Sequence, residues 1–282
     1  MPRVAVVVPC FNDGETLPAT LASLSGEEKH ELVVVDDGSD DEATLDTLSR
    51  LAAEGTTVVR RENGGLSQAR MTGVEATDAP YVFPLDADDA VVPGALQVLA
   101  DALDAAPEAA LAWGDIEVWG ELEAELAVAR SLDPWLLTYL NDVPVASLVR
   151  RQALEETGGW SMGSGYEDWD LWLALAERGY SGVHVPRPTL RYRRRSGRML
   201  DDCTPEHGRL YANLRSRHPK VFAARRANLR RSTAPLRTKL AFPIVEALPL
   251  DPFARHRVYL FLNRPRQAVS FRRLRRATTA TP

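Results

Sequence analysis

Three carboxylates in four residues, Asp86, Asp88 and Asp89, follow directly on the apolar run Tyr81-Val82-Phe83-Pro84-Leu85. A second pair, Asp36-Asp37, follows Leu32 to Val35 in the same way. A third group, Glu167, Asp168 and Asp170, lies beside Trp169 and Trp172 after a loop containing Gly158, Gly159, Gly163 and Gly165. Buried Asp is costly unless it is paired or bound to metal, so acids delivered by apolar strands need partners. One or two carboxylates together with substrate phosphates are what Mg2+ or Mn2+ takes as ligands. Asp86-Ala87-Asp88 therefore reads as a clamp for a metal and a diphosphate. The same residues also suit helix caps, with a helix expected after Pro93 and another after Asp40 or Asp41. Asp168 and Asp170 fall in a first helical turn, where the dipole favours negative charge. On these stretches alone both readings stand. Trp169 and Trp172 beside the acids suit a carbohydrate platform under a movable loop, and equally suit core aromatics at helical spacing.

The elements that must position these acids are legible in the hydrophobic pattern. Val4 to Val8 is an apolar strand stopped by Pro9, and Phe11-Asn12-Asp13-Gly14 is turn chemistry. Leu17, Leu21 and Leu24 give one face of a short helix, Leu32 to Val35 a second strand, and Leu45, Leu48 and Leu51 a second helix. Thr57 to Arg60 reads as a third strand. Glu62-Asn63-Gly64-Gly65 is a turn before a helix over Ser67 to Glu75, and Tyr81 to Leu85 is the fourth strand. Such alternation predicts βαβ units and a mostly parallel sheet, which would bring the Asp-bearing strand ends to one edge. Ala109 to Trp119 predicts one or two strands bent at Gly114, Val143 to Val149 a strand, and Arg150 to Glu156 a short helix stopped by Gly158-Gly159. No GxGxxG follows the first strand and no GxxxxGK[ST] occurs, so a nucleotide site here must rely on acids and metal.

The composition is that of a globular chain: 282 residues, 45% hydrophobic and 26% charged. Cys10 and Cys203 stand far apart with no CxxC, which suggests neither a disulfide framework nor a zinc site and points to a reducing compartment. The apolar run after Met1-Pro2-Arg3 is too short for a signal peptide, and no stretch is long enough to span a bilayer; the expected location is cytoplasmic. Charge is unevenly spread. Residues 220–282 hold 15 Lys and Arg against Glu246 and Asp251, a net of +13, whereas residues 1–219 hold 19 bases and 37 acids, a net of −18.

Val4-Ala-Val-Val-Val-Pro-Cys-Phe-Asn12, Val35-Asp-Asp-Gly-Ser39, Asn63-Gly-Gly-Leu-Ser-Gln-Ala-Arg70, Leu85-Asp-Ala-Asp-Asp89 and Gly165-Tyr-Glu-Asp-Trp-Asp170 occur in that order. Over residues 3–200 the chain resembles a family 2 glycosyltransferase of the GT-A fold. The resemblance implies an α/β, Rossmann-like domain with a mostly parallel central sheet and flanking helices; beyond it a basic, helical C-terminal extension is expected. Residues 1–115 would bind the nucleotide sugar, residues 116–200 would supply acceptor binding and catalysis, and residues 201–282 would form the extension. It implies an inverting transfer from a UDP-, GDP- or dTDP-linked sugar to a glycan or lipid-linked acceptor, with Mg2+ or Mn2+. By motif, Pro9, Phe11, Asn12 and Glu15 would line the nucleotide pocket. Asp37 would bond the base, Arg70 and Asp86 would hold the nucleotide sugar, and Asp88 would bind the metal. Asp168 would be the catalytic base, with Glu167 as the alternative, and Trp160 and Trp169 would meet the acceptor. Two positions depart from the pattern. Arg195 stands where the family often has His, and Arg cannot ligate a cation but can clamp a diphosphate, so Arg195 or a neighbour is expected at the phosphates. Met71 replaces an Asn.

The basic C-terminal stretch lies outside the resemblance. Arg225-Arg226, Arg230-Arg231 and Arg272-Arg273-Leu274-Arg275-Arg276 alternate with Leu240-Ala-Phe-Pro-Ile-Val and Val258-Tyr-Leu-Phe-Leu. Basic and apolar pieces together suggest attachment to an anionic membrane surface on its inner face; a solvated end is the other reading. No motif supports nucleic-acid binding. Two further functions share the acids: a sugar nucleotidyltransferase, which the Phe11-Asn12-Asp13-Gly14 loop disfavours, and a non-catalytic nucleotide-sugar-binding module.

Overall fold

The computed structural model describes residues 1–120, 123–126, 128–163, 165–194 and 206–264. Contacts divide the chain into two compact units, one of residues 1–132 and 143–194, the other of residues 133–142 and 195–282.

The first unit is built on a nine-stranded sheet. In chain order its elements are β1 (Val4–Cys10), α1 (Leu17–Ala22), β2 (His30–Asp36), α2 (Glu42–Ala53), β3 (Thr57–Arg60), α3 (Leu66–Glu75), β4 (Tyr81–Pro84), β5 (Ala90–Val91) and α4 (Ala95–Asp104). They continue as β6 (Ala109–Gly120), β7 (Ala124–Leu126), β8 (Leu148–Arg150), α5 (Arg151–Thr157), α6 (Glu167–Glu177) and β9 (Ser181–Arg194). The strand order is β3-β2-β1-β4-β8-β6-β9-β5, with β7 on β6. β3, β2, β1 and β4 are parallel neighbours, and β6 runs parallel to β9; β8 is antiparallel to both β4 and β6.

β1 is buried along its whole length because it sits between two strands and under helices on both faces. Its residues alternate accordingly. Val4, Val6 and Val8 join Phe83, Leu96, Leu99 and Leu103 in one core. Val7 points the other way, onto α3, where a Cβ on Gly73 would lie 2.2 Å from its Cγ1; only glycine lets that helix approach so closely. At Gly114 the pairing of β6 with β9 shifts register, and a Cβ there would meet Thr189 Cγ2 at 2.4 Å and the Arg187 carbonyl at 2.5 Å. The bend expected at Gly114 is this crossing, inside one continuous strand.

Two expectations change. The strand predicted over Val143 to Val149 forms only from Leu148 to Arg150, since Pro144 has no N–H to give a ladder. The hydrophobic pattern does not predict β9 (Ser181–Arg194). Pro186 and Pro188 interrupt it and most of its residues are only partly buried, so it lacks the apolar signature of β1.

The second unit is helical where described: a 3-10 turn at Leu136–Thr138, then α7 (His207–Arg217), α8 (Pro219–Ala223), α9 (Arg225–Arg231), α10 (Leu236–Ala247) and α11 (Pro252–Asn263). Trp135, Tyr139, Phe242 and Tyr259 form its core, with Trp135–Tyr139 and Tyr139–Tyr259 ring centroids 5.1 and 5.2 Å apart. Arg225 lies 4.2 Å from the Tyr139 ring, donates to Thr138 Oγ1 at 2.7 Å and to the Tyr211 hydroxyl at 3.0 Å, and pairs with Glu246. Asp133 accepts the N–H groups of Trp135 and Leu136 on one oxygen and Ser232 Oγ and Thr233 N–H on the other. These bonds are why residues 133–142, within the sequence stretch 116–200, belong with the C-terminal helices.

Candidate active site

Because β2, β1 and β4 are parallel, their carboxyl ends open on one edge, the place where open α/β sheets bind ligands. The turn after β2 is held from several sides. Asp36 is buried, accepts Ser39 N–H at 2.8 Å and pairs with Arg60 at 3.0 Å. Asp37, 4% exposed, accepts the N–H groups of Gly64 at 3.1 Å and Gly65 at 2.8 Å and pairs with Arg61, so it carries the β3–α3 turn. Asn12 sits at φ 57°, in the left-handed region that Asn tolerates. Its Oδ1 accepts Asp40 and Asp41 N–H at 3.1 Å each, and its Nδ2 donates to Asp40 at 2.7 Å, which ties the β1–α1 loop to the start of α2. Asp41 caps that helix through Thr44 N–H at 2.8 Å, and the Thr44 hydroxyl and N–H hold its carboxyl below the usual range. Pro9 is buried in β1, while Phe11 and Glu15 are exposed above the edge. Burial pushes the neighbouring Cys10 thiol up to about 11, which leaves it protonated and inert at neutral pH.

The turn after β4 is anchored differently. Arg70, 1% exposed on α3, donates through Nη2 to Asp86 Oδ1 at 2.8 Å and through Nη1 to Glu167 Oε1 at 2.9 Å. Burial works to lower its pKa, and the two carboxylates more than offset this, so the guanidinium stays charged. The guanidinium lies over the Trp160 ring at 5.7 Å. One buried cation thus joins the acidic turn to the first turn of α6. The Ala87 carbonyl accepts Thr20 Oγ1 at 2.8 Å. Arg193 on β9 closes the turn from the other side. Its N–H donates to Asp89 at 2.9 Å, its Nε to the Asp88 carbonyl at 3.0 Å, and its guanidinium stacks on Trp119 at 4.0 Å. Asp88 is 9% exposed. Among the described residues no group of three or more His, Cys, Asp and Glu side chains gathers to hold a metal.

At the start of α6, Tyr166 adopts φ 64°, Glu167 is buried against Arg70, and Asp168 is half-buried with Oδ1 accepting Trp169 N–H at 2.7 Å. The loop before it is fixed to α3, for Ser67 Oγ donates to the Met162 carbonyl at 2.5 Å and Met71 packs on the open face of Gly159. Met71 therefore fills space that a Cβ at residue 159 would need.

The acceptor platform needs correcting. Trp160, Trp169 and Trp172 are all buried, so their faces are taken by protein and no sugar can stack on them in this arrangement. The core reading of that helical spacing holds. Tyr166, whose ring lies 5.2 Å from Trp169, is the half-exposed aromatic here. Arg195 lies outside the described residues, as does the Arg272 to Arg276 run. Arg193 belongs to the run around Arg195 expected at the phosphates; it alternates with Arg191 along β9, and both stack on Trp119.

The family model for Glycosyl transferase family 2 matches residues 5–158. An uncharacterized glycosyltransferase of Mycobacterium tuberculosis is 31% identical over 191 residues, spanning 64% of this chain and 83% of that relative. The poly(ribitol-phosphate) beta-N-acetylglucosaminyltransferase TarP of Staphylococcus aureus is 33% identical over 105 residues, 35% of this chain and 32% of its own length. An uncharacterized protein of Sinorhizobium fredii is 28% identical over 186 residues, 63% of this chain, and the match spans only 20% of its length. Among solved structures, S. aureus TarS 1–349 in complex with UDP-GlcNAc superposes with a TM-score of 0.60 at 16% identity, covering 92% of this chain and 70% of that one. The mannosyltransferase PcManGT of Pyrobaculum calidifontis, in complex with GDP-Man and Mn2+, gives 0.59 at 19% identity, covering 96% and 83%.

Proposed function

From a chain that belongs to glycosyl transferase family 2, we propose inverting transfer of a sugar from a nucleoside-diphosphate donor to the hydroxyl of a glycan or lipid-linked acceptor, at the carboxyl edge of β1, β2 and β4. The observation that carries this reading is the buried bridge Asp86–Arg70–Glu167. It locks the acids that would face the donor to the helical turn that would face the acceptor, and inverting transfer needs such a fixed relation. A base must take the acceptor proton on one face of the anomeric carbon while the diphosphate leaves from the other.

Asp168 is the base in this scheme. Glu167 is buried and engaged by Arg70, whereas Asp168, one residue on, is only half-buried. Pro9 at the end of β1, with Phe11 and Glu15, would border the nucleotide, and Asn12 sets the loop that carries Phe11 and Glu15. Asp37 keeps the base side of the site in shape through Gly64 and Gly65. Its Oδ2 accepts a single bond, which leaves capacity for a base N–H. Asp88 would hold a divalent cation, Mg2+ or Mn2+, shared with diphosphate oxygens, since one carboxylate plus phosphates suffices for such ions. When bound, that ion neutralises charge growing on the leaving diphosphate. The UDP-GlcNAc and the GDP-Man with Mn2+ in the two similar structures support a nucleotide-sugar donor and a cation.

Transfer assays on Asp168→Asn and Glu167→Gln, with the product anomer read by NMR, test the scheme. Asp168→Asn should fold normally and lose about 10² to 10⁴ in turnover. A product with retained configuration, or an active Asp168→Asn, would overturn it.

A further inference from the structure

We propose that the outer face of α10 seats the second unit on an anionic lipid surface, an interaction that goes beyond the transfer reaction and does not rest on it. The helix is apolar on two faces. Thr238, Phe242 and Val245 turn inward to the aromatic core. On the opposite side Leu236, Leu240 and Ile244 recur every fourth residue, and Leu248 extends the row; they are 71%, 62%, 63% and 44% exposed. Leu260 and Phe261, at the end of α11, are each 41% exposed. Of eight large hydrophobic residues exposed among those described, six thus fall between residues 236 and 261, which makes this a concentration and not scatter. A surface helix ordinarily turns its polar side outward, and a contiguous exposed apolar row marks a contact surface.

Charge decides the occupant. Arg226, Arg230, Arg231, Arg237 and Arg257 are exposed in the same unit. The exposed acids described there are already engaged: Glu206 with Arg209, and Asp251 as the cap of α11 through Ala254 N–H at 2.9 Å. A second copy would bring the same cations against one another, which opposes association. An anionic bilayer complements both parts, its acyl boundary accepting Leu236, Leu240, Ile244 and Leu248 and its headgroups the arginines. A helix of 12 residues is roughly 18 Å long, so it would lie in the interface and not cross it. Among the described residues no helix is long and apolar enough to cross a membrane.

The test is flotation of the full chain with vesicles of phosphatidylcholine and phosphatidylglycerol, beside phosphatidylcholine alone, at low and high salt. The wild type should float with the anionic vesicles at low salt and be released as salt rises. Leu240→Glu with Ile244→Glu should cut flotation at least about tenfold while circular dichroism stays unchanged, because both side chains lie on the exposed face. Arg230→Glu with Arg237→Glu, which leaves the apolar row intact, should remove the preference for anionic vesicles. Absence of flotation by the wild type, or equal flotation of the Leu240/Ile244 double variant, would overturn the proposal. So would a wild-type dimer by light scattering that the double variant dissociates without any vesicle binding, since the row would then belong to a second copy.

Discussion

The turns after β2 and β4 are alike in sequence: each is an apolar strand running into Asp residues, and each opens on the same sheet edge. Their bonds differ. Asp36 and Asp37 are spent mainly on the protein itself, accepting Ser39, Gly64 and Gly65 N–H groups and pairing with Arg60 and Arg61. Asp86 instead meets one buried cation whose other arm reaches α6 across 97 residues of chain, and Asp88 and Asp89 are steadied through main-chain groups by Arg193. Carboxylates at strand ends are therefore not equivalent. The first turn shapes the edge, and the second links the edge to the helix that carries Asp168. The proposed transfer would draw on both, the first for the shape of the edge and the second for its tie to α6.

Arg70→Met should strain this comparison most. Removing one partner of a buried ion pair strands the other, so Glu167 and Asp86 would lose their common cation and the unit should lose about 3–5 kcal/mol, read by urea denaturation. A loss below about 1 kcal/mol would mean that the bridge does not hold the β4 turn to α6. Asp37→Asn comes next. An amide has one acceptor oxygen where the carboxylate has two, so one glycine N–H and the Arg61 charge lose their partner at a cost of about 1–3 kcal/mol. If donor affinity in that variant is unchanged once the protein is folded, Asp37 acts through the turn alone; a fall in affinity assigns it to the base as well. Asn12→Ala should have the smallest effect, about 1 kcal/mol, because its bonds to Asp40 and Asp41 lie at the surface; the poor fit of Ala to φ 57° supplies part of that loss. Asn12→Gly, free of that strain, should recover part of the loss in thermal denaturation.

Much of the first unit was legible in the sequence because apolar runs and breakers coincide there. Thr57 to Arg60 forms β3 as expected, and Pro9 and the glycines at 64 and 65 mark the ends of neighbouring elements. What escaped has a physical reason in each case. β9 is a partly exposed, proline-interrupted strand whose pairing with β6 is set by distant residues. Residues 133–142 look like a link between strands, yet Asp133 and Thr138 find their partners 99 and 87 residues later, at Ser232 and Arg225. The tryptophans beside the acids carry the same letters whether they line a core or a sugar site, and only burial separates the two. The motif marks Arg70, but its place between two acids depends on contacts spanning 16 and 97 residues.

The most direct measurement is isothermal titration of UDP, GDP and dTDP into the wild type and Asp88→Asn, each with and without Mn2+. One diphosphate should bind only with the metal, and Asp88→Asn should weaken it by about tenfold or more, as loss of a charged ligand would. Binding indifferent to both Mn2+ and Asp88, or no binding of any of the three with metal present, would contradict the assignment of the β4 turn to donor binding.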